Sequence, residues 1–219
     1  MNKGSIVLNF TKYNRIRSIK TYTCWSCKQN VTNLISNLFC SNCKVLQRPE
    51  KLDNYFQVLG VKETYDLNDS DLARNYKDLQ KHLHPDKYAN RIKEEQEISA
   101  QYSSLVNDAY KTLLEPLSRG IYMLKLRGKE ISENTEVGQE FLMKIMEKNE
   151  EVENAETKEE ILKLNKENRT IINDLQKQLS KAFYEGDLKR VQKLLSHMKY
   201  YTSIDNQIQA LIRNKGIIQ

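Results

Sequence analysis

The stretch Leu83-His84-Pro85-Asp86-Lys87 separates two long segments of helical sequence and decides how they are arranged. Pro85 lacks a backbone N–H and disfavours the α conformation at the residue before it, so a helix arriving from upstream must end near His84. We therefore predict that the polar tripeptide His84-Pro85-Asp86 lies in a turn between two helices.

Both flanking segments, 71–83 and 94–115, carry apolar residues at helical spacing. Two antiparallel helices that bury these residues against each other would hold the tripeptide at the exposed tip of a hairpin. On another face of the first helix, Arg74, Lys77 and Lys81 form a basic surface. A polar tip beside a basic face indicates a contact surface for another protein. The apolar positions are Leu72, Tyr76, Leu79 and Leu83 in the first segment, and Ile98, Tyr102, Leu105, Ala109 and Leu113 in the second.

All four cysteines lie within 20 residues as two Cys-x-x-Cys pairs, Cys24/Cys27 and Cys40/Cys43. Two such pairs can place four thiolates around one tetrahedral Zn²⁺. Disulfides, four free thiols and a rubredoxin-like iron site are the alternatives, and disulfides are disfavoured in a reducing compartment. We predict one structural zinc ion, whose binding folds the small segment 24–48.

The basic excess is confined to the start of the chain. The net charge is +6, but residues 1–49 contain eight Lys or Arg and no acid, which leaves 27 basic and 29 acidic residues in the remainder. A nucleic-acid-binding protein usually carries its basic excess in the folded body, so this pattern argues against nucleic acid as a partner. The composition of residues 1–23 is typical of a mitochondrial transit peptide, with a disordered basic tail as the alternative.

The rest of the chain predicts an all-α protein. Only seven glycines and three prolines occur in 219 residues, and 29% of residues are charged, which favours long amphipathic helices. No apolar run approaches the roughly 20 residues needed for a membrane span. Asp53 is a candidate N-cap for a short helix that ends at Gly60, and Pro116 can begin another helix. Three helical segments, about 137–155, 158–184 and 188–214, predict an antiparallel bundle over residues 136–214.

The first bundle helix has two apolar faces, which is more than a three-helix core requires. One face contains Phe141, Ile145 and Val152. From the pattern alone, the second face is slightly better explained as part of a wide core stripe. The alternative is a binding surface, because methionine is common on adaptable interfaces. The second face comprises Leu142, Met143, Met146, Glu147 and Glu150.

Four stretches make the sequence resemble a known family. Residues 54–61 (NYFQVLGV), followed by His84-Pro85-Asp86, resemble the J domain of DnaJ-type co-chaperones. The run 105–113 (LVNDAYKTL) and residues 116–120 (PLSRG) resemble the HscB family, the J-domain co-chaperones of iron–sulfur cluster assembly. The resemblance covers about residues 24–212 and includes a zinc-bearing N-terminus of the eukaryotic mitochondrial type. It implies a J domain over 52–127 that precedes the bundle.

The resemblance also implies a function and two partners. The His84-Pro85-Asp86 loop and the basic surface would dock on a DnaK-type chaperone and stimulate its ATP hydrolysis. The second face of the first bundle helix, with Tyr200, would bind the IscU-type scaffold that carries the iron–sulfur cluster. The expected location is the mitochondrial matrix, with the cytoplasm as a further site, and a homodimer is left open.

Two other classes of function have less support from the sequence. A zinc-ribbon nucleic-acid-binding factor is favoured only by the four cysteines. A metalloenzyme is not favoured, because the sequence has three histidines (His82, His84 and His197), no His-Glu-x-x-His motif and no glycine-rich phosphate loop. We expect catalysis to reside in the partner chaperone.

Overall fold

The computed structural model of the chain describes residues 22–31, 34–35, 38–48, 54–131 and 137–217. The all-α class that the sequence predicts is confirmed. The helices are α1 (Tyr55–Val58), α2 (Asp69–Leu83), α3 (Lys93–Leu114), α4 (Pro116–Leu126), α5 (Gln139–Glu153), α6 (Lys158–Glu185) and α7 (Leu188–Asn214), with a 3-10 turn at Pro85–Tyr88. The predicted transit peptide, residues 1–23, lies almost entirely outside the described residues.

The cysteine segment contains short strands that the sequence did not predict. They are β1 (Tyr22–Thr23), β2 (Asn30–Val31), β3 (Leu34–Ile35) and β4 (Phe39–Cys40). β1 pairs with β2 and β3 pairs with β4, both antiparallel. Each strand has two residues, far too few to be stable alone. The stability of these two β-hairpins therefore depends on the interactions that hold the four cysteines together.

Helices α2 and α3 form the predicted antiparallel hairpin. α2 begins at Asn68, whose side chain accepts a hydrogen bond from the backbone N–H of Ser70. It ends at Leu83, because His84 has the extended conformation (φ −59°, ψ 127°) that a following proline favours. Leu72 and Leu83 are buried against Ile98 and other apolar residues of α3. The hairpin therefore holds the tripeptide where the sequence predicts it, between the two helices.

One predicted cap is wrong. The N-cap of α1 is Asn54 and not Asp53, because the Asn54 side chain accepts a hydrogen bond from the backbone N–H of Phe56. The two residues are adjacent in sequence and belong to the same class of N-cap formers, so the sequence does not distinguish them. Pro116 begins α4 as predicted.

The C-terminal helices form the expected bundle. α6 begins with a capping box between Thr157 and Glu160 and ends at Gly186, whose φ of +73° is the left-handed conformation that glycine tolerates best. α7 then returns antiparallel to α6. Ile145 and Val152 of α5 are buried against the far end of this pair, together with Ile161, Ile204, Ile208 and Ile212.

The near end of the α6–α7 pair packs against α4 and the loop between α1 and α2 rather than against α5. Tyr65, in the loop between α1 and α2, stacks on Phe183 of α6 with ring centroids 5.4 Å apart. Arg119 of α4 is buried, donates a hydrogen bond to the Leu113 carbonyl at 2.8 Å and lies over the Tyr65 ring. The two helical units therefore share one continuous apolar core. Within the described ranges, the helices lack the combination of length and apolarity needed to cross a bilayer.

Candidate functional sites

The tripeptide at the hairpin tip is exposed to solvent. The side chain of Asp86 is 89% accessible and that of His84 is 55% accessible. The His84 Nδ1 atom lies 3.4 Å from the backbone nitrogen of Asp86 and 3.4 Å from its carboxylate Oδ2. His84 therefore caps the 3-10 turn that Pro85 begins. With Nδ1 engaged inside the loop, Nε2 is the ring nitrogen left for a partner.

Buried side chains on both sides hold the tip in place. Tyr88 is buried and its hydroxyl donates to the His82 carbonyl at 3.0 Å. The Ser99 hydroxyl of α3 donates to the Leu83 carbonyl at 2.7 Å. Both acceptors belong to the last turn of α2, whose carbonyls have no partners within the helix. The tip is thus presented in one conformation, which lowers the entropy lost when a partner binds.

The basic surface of α2 is exposed but less positive than the sequence suggests. Arg74, Lys77 and Lys81 are all exposed. The Arg74 guanidinium, however, makes an ion pair with Asp71 one turn earlier, at 2.8 Å. Lys77 and Lys81 have no ion pair with any described residue, so they carry most of the free positive charge of this face.

The four cysteines meet in one cluster, with every pair of Sγ atoms within 4.8 Å. Zn–S bonds of about 2.3 Å arranged tetrahedrally place the sulfurs about 3.8 Å apart. The Sγ atoms of Cys24 and Cys43 are 3.6 Å apart, and those of Cys27 and Cys40 are 3.9 Å apart. These separations fit a four-coordinate metal and exclude a disulfide, whose sulfurs lie about 2.05 Å apart.

The two Cys-x-x-Cys pairs have the same local geometry. In each, the residue after the second cysteine donates its N–H to the carbonyl of the first, from Lys28 to Cys24 and from Lys44 to Cys40, both at 3.0 Å. Lys28 and Lys44 also have matching left-handed conformations, with φ of +59° and +60°. The backbone N–H of Gln29, and then the Asn42 amide, lower the pKa of the Cys27 thiol to about 6. Backbone donors aimed at sulfur stabilise thiolate, which is the form that binds metal.

The cysteine segment is packed against the helical hairpin. Trp25 donates its indole N–H to the Leu46 carbonyl at 2.8 Å, which joins the two ends of the segment. Leu38 and Leu46 are buried in the same core as α2 and α3. The Phe39 ring meets the His82 ring edge-on, with centroids 6.3 Å apart. The cysteine cluster is therefore next to the end of α2 that carries the tripeptide.

The second face of α5 is exposed, as predicted for a binding surface. Met143 and Met146 are each 62% accessible and Leu142 is 37% accessible, whereas Ile145 and Val152 on the other face are buried. Glu147 and Glu150 are exposed beside them. Exposing a group of large apolar side chains to water does not stabilise the fold, so this group indicates a contact with another molecule.

Tyr200 of α7 adjoins this surface through an aromatic cluster. The Phe141 ring meets the Tyr200 ring edge-on at 5.7 Å. Tyr200 is exposed, whereas its neighbour Tyr201 is partly buried, so Tyr200 is the ring that faces outward. We use the name α5 patch for Leu142, Met143, Met146, Glu147, Glu150 and Tyr200.

Sequence reasoning missed His197, which lies beneath the α5 patch. Its ring stacks on Phe141 with centroids 3.9 Å apart and planes 10° apart. Its Nε2 atom is buried without a hydrogen-bond partner in the described part of the chain. Burial, and then the charge of Lys193, lower the pKa of His197. The only sequence signal was its position three residues before Tyr200.

Comparison with known proteins gives a consistent assignment. Residues 54–122 match the DnaJ domain, and residues 137–209 match the HSCB C-terminal oligomerisation domain. The chain is 36% identical to the human iron-sulfur cluster co-chaperone protein HscB over 193 residues, which covers 85% of this chain and 80% of the human protein. It is 32% identical to the Arabidopsis thaliana HscB homolog over 183 residues, which covers 81% of this chain and 69% of that protein.

The solved structures agree. The crystal structure of human co-chaperone protein HscB superposes with a TM-score of 0.79 at 33% identity, covering 87% of this chain and 98% of the human one. Chaperone HscB from Vibrio cholerae superposes with a TM-score of 0.67 at 25% identity, covering 74% and 98% of the two chains. Matches to both domain families, to full-length relatives and to their structures lead to one conclusion: this chain belongs to the HscB family of J-domain co-chaperones of iron–sulfur cluster assembly.

Proposed function

We propose that this protein links an IscU-type scaffold, which carries the iron–sulfur cluster, to a DnaK-type chaperone and stimulates ATP hydrolysis by that chaperone. The observation that carries the proposal is the presence of two exposed surfaces on different helical units. The hairpin tip is polar, whereas the α5 patch has an exposed apolar group flanked by two acids. Surfaces of such different chemistry suit two different partners.

The hairpin tip has the features needed to contact the chaperone. Asp86 presents an exposed carboxylate on the 3-10 turn, next to His84, so it can make a charge-assisted hydrogen bond with a cation of the partner. Lys77 and Lys81 would attract an acidic surface and raise the rate of encounter. The residues proposed for this contact are Arg74, Lys77, Lys81, His84, Pro85 and Asp86. ATP is hydrolysed in the chaperone's own site.

The α5 patch has the features needed to bind the scaffold. Two flexible methionines and a leucine offer apolar area, and Tyr200 adds a large ring at the edge. Glu147 and Glu150 flank the apolar group and would favour a partner with basic residues at the rim. Helices α6 and α7 contribute residues both to the core shared with the hairpin unit and to the apolar cluster beneath α5, so one chain presents both surfaces.

We propose that the four cysteines hold one structural Zn²⁺. Four thiolates satisfy a tetrahedral zinc ion completely and leave no open coordination position for catalysis. The metal would fix the two short hairpins, which have little apolar core of their own. We also propose that the protein acts in mitochondria, since its eukaryotic relatives are co-chaperones of iron–sulfur cluster assembly. The matrix, with a transit peptide in residues 1–23, is the proposed site.

The proposal is tested by a substitution at the tip. His84→Gln should abolish stimulation of the mitochondrial DnaK-type ATPase and leave the affinity for the scaffold unchanged, because the tip and the α5 patch are on separate elements. The control is Lys189→Gln, at an exposed residue of α7 that belongs to neither surface, which should leave the stimulation within about twofold of that of the parent protein. Full stimulation by the His84 variant would contradict the proposal. Light scattering of the same samples distinguishes a monomer from a homodimer.

A further inference from the structure

A basic cleft lies between the cysteine segment and the end of the helical hairpin. Its volume is about 440 Å³, and it lies within the described part of the chain. Phe39, Cys43 and Lys44 of the cysteine segment form one wall. The opposite wall comes from the end of α2, the 3-10 turn and the start of α3, and consists of His82, Lys87, Tyr88, Arg91 and Glu95.

The cleft has an excess of positive charge. Lys44, Lys87 and Arg91 are exposed, and none makes an ion pair with a residue in the described ranges. Glu95, which is buried at 8% accessibility, is the one acid among the lining residues. Because the three cations are exposed, their attraction for an anion is moderate and falls as the salt concentration rises. The chemistry of the cleft therefore suits carboxylates.

The cleft is continuous with the hairpin tip. Lys87 lines the cleft and directly follows Asp86 in the sequence. The backbone N–H of Lys87 donates to the His84 carbonyl at 3.0 Å, so the two surfaces share the same 3-10 turn. A partner that engages the tip must pass beside the mouth of the cleft.

We propose that the cleft between the cysteine segment and the hairpin tip receives an acidic, extended segment of the DnaK-type chaperone. This inference rests on the proposed function and extends it, because it gives the cysteine segment a direct part in chaperone binding. The metal would act by holding Lys44, the residue after Cys43, against the J domain. A volume of about 440 Å³ accommodates a few side chains of a peptide.

The two Cys-x-x-Cys pairs supply a matched pair of variants, one beside each. Lys28 and Lys44 occupy equivalent positions, with nearly the same φ and the same backbone hydrogen bond, and both are exposed. Only Lys44 lines the cleft. Lys28→Glu and Lys44→Glu therefore change the charge of the protein equally. Lys44→Glu also removes the hydrogen bond from Lys44 Nζ to the Ser41 carbonyl at 2.6 Å, so the metal content of both variants is measured. When both are metal-loaded, a difference between them reports on the cleft.

The experiment measures the ATPase rate of the chaperone against the concentration of the metal-loaded co-chaperone. Lys44→Glu should raise the half-maximal concentration about three- to tenfold without changing the maximal rate, as expected for loss of one or two partly exposed ion pairs. Raising the salt from about 0.05 to 0.5 M should remove the difference. Lys28→Glu should behave as the parent protein does.

Arg91→Glu provides a second route, because it changes the opposite wall without touching the metal site. If Lys44→Glu loses metal, the proposal is judged by Arg91→Glu instead. This variant should show the same three- to tenfold rise in the half-maximal concentration. Parent-like behaviour of Arg91→Glu and of a metal-replete Lys44→Glu would overturn the proposal, as would an equal effect of Lys28→Glu. A loss of scaffold affinity instead of chaperone affinity would also overturn it.

The same assay separates this inference from the proposed function. If His84→Gln abolishes stimulation while the cleft variants have no effect, only the cleft proposal fails. If His84→Gln stimulates fully, the proposed function itself fails.

Discussion

Gly120 of α4 lies so close to Leu195 of α7 that a Cβ atom at position 120 would be 2.5 Å from the Leu195 Cδ2 atom. The same Cβ would be 3.3 Å from the Tyr65 ring. Leu195 is fully buried, so its side chain has little room to move aside. The absence of a side chain at position 120 therefore allows α4 to pack closely against α7.

Gly120→Ala should destabilise the protein by about 1–3 kcal/mol, because a methyl group would overpack this contact. The loss is measured as the free energy of unfolding in urea. Gly138→Ala is the control, since a Cβ there meets nothing within 4 Å and φ is −52°. It should change stability by less than about 1 kcal/mol.

A double variant tests whether Leu195 is the cause. Leu195→Ala alone should cost about 2–5 kcal/mol, since it leaves a cavity. In Gly120→Ala/Leu195→Ala the new methyl group would occupy part of that cavity. The double variant should therefore lose less unfolding free energy than the two single variants lose together. Strict additivity would show that the contact does not limit the packing.

Replacing Leu142, Met143 and Tyr200 together by alanine should cost several kcal/mol of scaffold binding with little loss of stability. The three side chains are at least 36% accessible, so they contribute little to the core. Apolar and aromatic residues clustered on one surface are typical binding hot spots. Affinity is measured by calorimetry with the scaffold, and stability by urea unfolding. Unchanged affinity would show that the scaffold binds elsewhere.

Ile145→Ala is the matched control on the same helix. Ile145 is 5% accessible and faces Ile161 and Ile204, so its truncation should cost about 2–4 kcal/mol of stability. Under conditions in which the variant is folded, its scaffold affinity should fall less than that of the triple variant. A larger fall would mean that the buried face, and not the exposed one, determines binding.

Metal analysis should give about one zinc per chain, with the four thiols protected from titration. Removal by a chelator should free all four thiols and disrupt the β1–β2 and β3–β4 hairpins, because strands of two residues are too short to be stable alone. The seven helices should persist, since most of their core lies outside the cysteine segment. Circular dichroism in the far ultraviolet should therefore change little. Four reactive thiols in the untreated protein would contradict the zinc assignment.

His197 should make stability fall as the pH is lowered. Burial and then Lys193 lower its pKa in the folded state below the value of about 6.5 expected in the unfolded chain. The unfolded state therefore binds a proton first, and the penalty grows as pH falls from about 6.5 towards the lower pKa of the folded state. Above that range the imidazole is neutral in both states and the penalty is absent.

His197→Phe should remove this contribution. A phenyl ring can keep the stacking on Phe141 and leaves no unpaired buried nitrogen. The difference in unfolding free energy between variant and parent should be larger at about pH 5 than at about pH 8. An equal difference at the two pH values would show that His197 does not titrate on unfolding.

Local signals in the sequence were enough to predict where most of the helices begin and end. Pro85 ends α2, Asn68 and Pro116 begin helices, and Gly186 separates α6 from α7. Each acts on its own backbone or on close neighbours in sequence, so its effect can be predicted without the tertiary fold. Asp53 and Asn54 are equally good caps, and the sequence could not choose between them.

Contacts between distant segments could not be predicted in this way. The Gly120–Leu195 contact joins positions far apart in the chain. The sequence around Gly120 does not identify Leu195 as the residue that it contacts. The stacking of His197 on Phe141 and the packing of Trp25 beside Leu46 have the same character. For the same reason, the cleft between the cysteine segment and the hairpin tip was not foreseen. The roles of the α5 patch and the tip stay predictions.

The most direct test is the single-turnover ATP hydrolysis rate of the DnaK-type chaperone with this protein, with the scaffold, and with both. We predict that both together accelerate hydrolysis more than the product of their separate effects. Leu142→Ala/Met143→Ala/Tyr200→Ala should lose only the extra acceleration, and His84→Gln should lose all acceleration by this protein. If the scaffold adds the same acceleration to the triple variant as to the parent, or if His84→Gln accelerates fully, the protein does not link the two partners through these surfaces.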